Sequence, residues 1–113
     1  MPYLRILIMG LMIAVFSLHA IAQKDACVLY FTFSENAGKT VKDESDNRND
    51  GKIKGGVKWA KGKYGTALEF GGKVGDFVEV ADSATLNPAK EISYMAWFMS
   101  DKYDNTRGII SKY

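Results

Sequence analysis

The chain has 113 residues, 47% of them hydrophobic, with 15 Lys and Arg against 13 Asp and Glu. A formal net charge of +2 with no clustered Lys or Arg leaves no electrostatic footprint for nucleic acid. A single cysteine excludes an internal disulfide framework, and the single histidine is His19.

The first 22 residues read as a helical signal peptide. Arg5 supplies the positive start, and Ile6 to Leu18 is an apolar run broken by Gly10 and Ser17. Ala20-Ile21-Ala22 is a small-residue cleavage site. The run falls short of the about 20 apolar residues a membrane span needs, so no stable span is expected after cleavage. An uncleaved N-terminal anchor is the alternative. Cys27 invites a lipoprotein reading, but Lys24-Asp25-Ala26 is polar and charged where a small apolar stretch would be required. Cleavage after Ala22 removes Arg5 and His19, and with them any Ser-His-Asp triad. The remaining residues, 23–113, form one expected domain, exported to the extracellular space, periplasm or cell surface. Cys27 then pairs outside this chain, stays a free thiol, or packs as a small hydrophobe opening a strand.

From Cys27 onward the signals are those of strands. Cys27 to Phe33 is a run of strand formers with apolar side chains on both faces. Ser34 to Lys39 is a loop, and Thr40-Val41-Lys42 a short extended piece. Asp43 to Gly51 contains no apolar residue; its closing Asn49-Asp50-Gly51 is turn chemistry, with Gly available for positive φ. Lys52-Ile53-Lys54 and Val57-Lys58-Trp59 alternate as half-buried strands do. Thr66–Phe70 and Phe77–Val80 flank a Gly-rich connection and read as a hairpin. Ala81 to Lys90 connects onward through Pro88. Glu91 to Met99 is the strongest strand, and its Trp97 is expected in the core. Arg107 to Tyr113 starts another strand. Short strands between Gly- and Asp-rich turns, without a helical period, argue an all-β sandwich. The pattern stops within a strand, so the domain is expected to be the truncated first part of a larger one.

The order of these motifs resembles the laminin-G-like jelly-roll domains of the concanavalin A-like lectin/glucanase superfamily. Val28 to Phe33 with Ser34 to Gly38 is similar to that family's first strand and loop. Asp43 to Gly51 resembles its polar loop ending in Asn-Asp-Gly. Gly62-Lys63-Tyr64-Gly65-Thr66-Ala67-Leu68-Glu69-Phe70 resembles its Gly-Lys-aromatic-Gly-x-Ala-Leu-x-Phe motif. Phe77 to Val80, Glu91 to Phe98 with its Ala96-Trp97 pair, and Ile109 to Tyr113 resemble the strands that follow. Gly71, where an Asp or Asn is usual, and the bulky Tyr94-Met95 depart from the pattern. The resemblance covers almost all of residues 23–113 and about the first half of a usual member. It implies an antiparallel jelly-roll β-sandwich.

Three chemistries follow. Asp43, Asp46, Asn49 and Asp50 place oxygen-bearing side chains close together, as calcium requires, and relatives in the family often hold calcium. The spacing is not that of an EF-hand, Arg48 sits among them, and side chains bonding their own backbone would explain the same residues. For a glycan, Trp59, Tyr64, Tyr103 and Asp104-Asn105 offer stacking and hydroxyl-binding groups, with Trp59 equally suited to half-buried packing. Glycoside hydrolysis needs two facing carboxylates; the Glu-x-Asp-x-x-Glu of hydrolytic relatives is absent, and Glu79 and Glu91 stand singly. No catalytic residue is assigned. The expected role is binding or adhesion, with a glycan or an extracellular protein as partner. The alternatives are part of, or an accessory to, a glycoside hydrolase, and a structural spacer.

Overall fold

The computed structural model describes residues 26–102 and 107–112. The expected signal peptide and cleavage site lie outside the described residues, as do Tyr103, Asp104, Asn105 and Tyr113. The described residues hold five short strands: β1 (Thr40–Val41), β2 (Gly51–Lys54), β3 (Lys58–Gly62), β4 (Gly65–Glu69) and β5 (Phe77–Val80). A single 3₁₀ turn, Ala84–Leu86, follows. The fold is β-rich, as expected. All pairings are antiparallel: β1-β2-β5 form one sheet, and β3-β4 a second.

Period-two alternation explains the first sheet. Ile53 lies opposite Val78, and Val41 opposite Gly51, so these four face the interior. Lys52 and Glu79 pair on the outer face, where Lys54 Nζ reaches Glu79 Oε2 at 3.4 Å. The core is Val41, Ile53 and Val57, with Phe31, Phe33, Trp59, Leu68 and Val78 packed against it. Trp59 and Leu68 come from the second sheet, so the two sheets share one apolar cluster.

The second sheet is a tight hairpin. Lys63 and Tyr64 turn without positive φ, and Gly65 follows at φ 103°, placing the left-handed step on a residue without Cβ. This local closure corrects one expectation. Thr66–Phe70 pairs with β3 across a two-residue turn, not with Phe77–Val80. Phe77–Val80 instead completes the first sheet beside β2, where Val78 meets Ile53.

Three other expected strands differ. Cys27 to Phe33 forms no strand: it makes only an isolated bridge, Phe31 to Asp43, and Phe33 is left-handed at φ 55°. Its faces are unlike: Phe31 and Phe33 turn to the core, while Tyr30 and Thr32 are exposed. Cys27 is free and exposed, not a buried hydrophobe. Among the described residues Glu91 to Met99 joins no ladder, and Trp97 is 94% exposed instead of buried. Residues 107–112 form no strand; Lys112 Nζ instead donates to the Leu86 carbonyl at 2.7 Å and to Asn87 Oδ1.

Gly51 is needed for space, not for a turn. The left-handed residue before β2 is Arg48, at φ 55°. A Cβ at Gly51 would stand 2.6 Å from Val78 Cγ1 and 3.0 Å from the Phe31 ring. The glycine therefore lets the Phe31 ring lie against β2. Overpacking of this kind typically costs about 1–3 kcal/mol. Gly51→Ala should lower the melting temperature accordingly in thermal unfolding. Val78→Ala in the same chain should recover part of that loss, and a fall as large in the double variant as the two single falls summed would deny the clash.

Candidate functional site

The polar loop between β1 and β2 is built around one side chain. Asp43 is 3% exposed, and Val41 two residues earlier is fully buried beside it in the chain. Asp43 Oδ1 accepts the Tyr30 N–H and the Ser45 N–H, each at 2.9 Å. Oδ2 accepts the Asn49 N–H and the Ser45 hydroxyl, each at 2.8 Å. A carboxylate offers about four lone-pair positions, and all four are engaged. The Ser45 bond is an Asx turn, which is why Asp followed two residues later by Ser reverses the chain here.

The remaining loop residues continue the same work. Asp50 Oδ1 accepts the Asp43 N–H at 2.9 Å. Asn49 is buried, and its amide donates to the Val28 carbonyl and to Thr85 Oγ1, each at 2.9 Å. Asn47 Nδ2 donates to the Cys27 carbonyl at 3.2 Å. The Glu44 N–H donates to the Tyr30 carbonyl at 2.8 Å. Residues 27–31 thus have their backbone bonded by this loop, mostly by its side chains, in place of a neighbouring strand.

Electrostatics follow from this geometry. Burial pushes the Asp43 carboxyl up, but hydrogen bonds from Tyr30, Ser45 and Asn49 outweigh it and hold the group below the usual aspartate range. A depressed folded pKa means that the stabilisation is fully present above the unfolded value, about 4. It is lost as pH falls through the folded value, in the acid range below that.

The calcium candidates are therefore brought together, but for another purpose. Asp43 and Asp50 aim carboxylate oxygens at backbone amides, Asn49 presents its amide to Val28 and Thr85, and Asp46 is exposed. A cation at Asp43 would have to displace hydrogen bonds already made. As arranged, these residues do not fit a calcium ion. Among the described residues no three His, Cys, Asp or Glu side chains group to hold a metal.

The aromatic candidates separate. Trp59 is half-buried, and its Nε1 donates to the Gly38 carbonyl at 2.9 Å, so its polar edge is taken. Tyr64, at the β3–β4 turn, is 86% exposed, with Lys63 Nζ 5.3 Å from its ring centroid. Sequence reasoning passed over Glu35, whose Oε1 accepts the Lys42 N–H at 2.9 Å and whose buried Oε2 has no partner among the described residues. It also passed over Thr66, whose hydroxyl donates to the Phe33 carbonyl. Thr66 is the variable position of the Gly62–Phe70 motif and bonds a residue 33 positions earlier, and Glu35 sits in a loop with no local signal for its bond to Lys42.

Comparison with protein-family models, curated proteins and solved structures gave no match.

Three outcomes follow. Asp43→Ala strands several buried amides and should cost at least about 3 kcal/mol in denaturant unfolding. Asp43→Asn should flatten the loss of stability that the native protein shows as pH falls below about 4, because the titrating group is gone. Calcium at about 1 mM, against EDTA, should leave the melting temperature unchanged; a site occupied only in the folded state would raise it.

Proposed function

We propose that this chain is a secreted or cell-surface binding module, of concanavalin A-like jelly-roll type, which recognises a glycan or an extracellular protein without catalysis of its own. The observation that carries this reading is the tip of the β3–β4 hairpin. It holds Tyr64 outward on a short rigid turn with a lysine beside the ring. An exposed aromatic face with an adjacent cation suits stacking on a sugar ring and bonding to its hydroxyls or acidic groups. The turn is positioned by Gly62 and Gly65, so little ordering is needed when a ligand arrives. The motif order from Val28 to Ile110 supports the jelly-roll assignment.

The carboxylates favour binding over hydrolysis. Asp43 and Asp50 are engaged by amides, and Glu79 faces Lys54. The inward-turned polar loop also favours the second reading, a structural spacer, which predicts no ligand at the hairpin tip.

A glycan-array screen of the full chain separates the two. Binding to one class of glycan, weakened about tenfold or more by Tyr64→Ala with the melting temperature unchanged, is the expected result. Absence of binding, or binding indifferent to Tyr64→Ala, would favour the spacer.

A further inference from the structure

The segment Ile92–Met99 is eight residues of strand-forming character lying outside every ladder. Among the described residues, no hydrogen bond reaches its backbone. Its large side chains are open to water: Met95 is 88% exposed, Trp97 94% and Met99 92%, with Tyr94 and Phe98 more than half exposed. An unpaired run of strand formers like this one offers its backbone groups to another strand.

Its flanks indicate which strand. The run is bounded by Lys90-Glu91 on one side and Ser100-Asp101-Lys102 on the other. Consider two copies laid antiparallel with Ile92–Met99 centred on itself. Ile92 then faces Met99, Ser93 faces Phe98, Tyr94 faces Trp97 and Met95 faces Ala96. Two-fold symmetry repeats each pair, so the ribbon carries two aromatic cross-strand pairs. The same register sets Lys90 of each copy opposite Asp101 of the other. A shift by one residue in one direction puts Glu91 on Asp101 and Lys90 on Lys102, both like-charge pairs. A shift in the other direction puts Glu91 against Met99 and leaves Lys90 facing Ser100. The register that matches the apolar run is thus also the one that matches the charges.

We propose that Ile92–Met99 is a self-association strand that pairs antiparallel with the same segment of a second copy, its register set by Lys90 opposite Asp101. This surface is independent of the hairpin tip carrying Tyr64. Pairing brings the exposed aromatic and methionine side chains into cross-strand contact and satisfies backbone groups that have no partner within the described part of one chain. Lys90 and Asp101 are exposed and make no contact with the core cluster, so reversing their charge leaves the fold intact.

Sedimentation equilibrium of the full chain, under reducing conditions to silence Cys27, tests the proposal. The native chain should show a concentration-dependent monomer–dimer equilibrium. Lys90→Asp and Asp101→Lys should each raise the dissociation constant by about tenfold, since two attractive pairs become repulsive. The double variant Lys90→Asp/Asp101→Lys should return it to within about threefold of the native value, because opposite charges again face one another. A native chain that stays monomeric overturns the proposal. So does association that neither single reversal weakens, which would belong to another surface such as the apolar run 6–18, or a double variant that fails to recover.

Discussion

The carboxylate of Asp43 is the point at which the opening segment of this domain is fastened. It accepts four hydrogen bonds while almost fully withdrawn from water, and each lone-pair position has a donor. Three of those donors are backbone amides, so one side chain does what part of a strand would otherwise do. The core it borders is small, with Val41, Ile53 and Val57 its buried members. Burying one such aliphatic side chain contributes about 1.5–3 kcal/mol. Hydrogen bonds to a charged group contribute about 1.5–3 kcal/mol each. The Asp43 network is therefore comparable with the apolar core in what it contributes.

The rest of the fold repeats that logic. Once Asp43 holds Tyr30, the adjacent Phe31 turns inward and lies against Gly51, and Phe33 packs 5.8 Å from Phe31 between ring centroids. Asp76 acts for the glycine turns as Asp43 acts for the polar loop. Its Oδ1 accepts the Gly56 N–H at 2.8 Å and would lie 2.4 Å from any Cβ at Gly55, itself at φ 68°. The turn after β2 is thereby locked to the connection before β5. Polar side chains that resemble a ligand surface in the sequence are largely engaged in holding backbone. Among the described residues, the Tyr64 hairpin tip and the run Ile92–Met99 stand open to solvent.

Much of this was readable from residue order. Alternation located β2 and the start of β3, strand composition located β5, and the glycines framing Lys63-Tyr64 marked the start of β4. The likelihood that Asp and Asn in the polar loop serve their own backbone follows from their known turn chemistry, and the Asp43–Ser45 Asx turn is that chemistry. Pairing partners were harder, because alternation gives faces without neighbours: β4 and β5 have the same local pattern whichever strand they join. Gly51 illustrates a second limit. A glycine after Asn-Asp suggests a left-handed turn, but here the constraint is the Phe31 ring, twenty residues earlier. Glu91–Met99 shows a third: strong strand propensity and an apolar face do not supply a partner, and Trp97 is exposed for want of one within the described residues. Tyr64 was legible as a stacking candidate, whereas the capture of the Trp59 indole by Gly38 was not.

The fastening role of Asp43 is tested most directly by amide hydrogen exchange, read residue by residue by NMR, in the native chain and in Asp43→Asn. The account predicts that the Tyr30, Ser45 and Asn49 amides are protected in the native protein. In Asp43→Asn these three should exchange faster by about tenfold or more, ahead of the β2–β5 ladder amides, because local opening no longer breaks bonds to a carboxylate. Unprotected Tyr30 and Asn49 amides in the native protein, or protection equal in the two proteins, would contradict it.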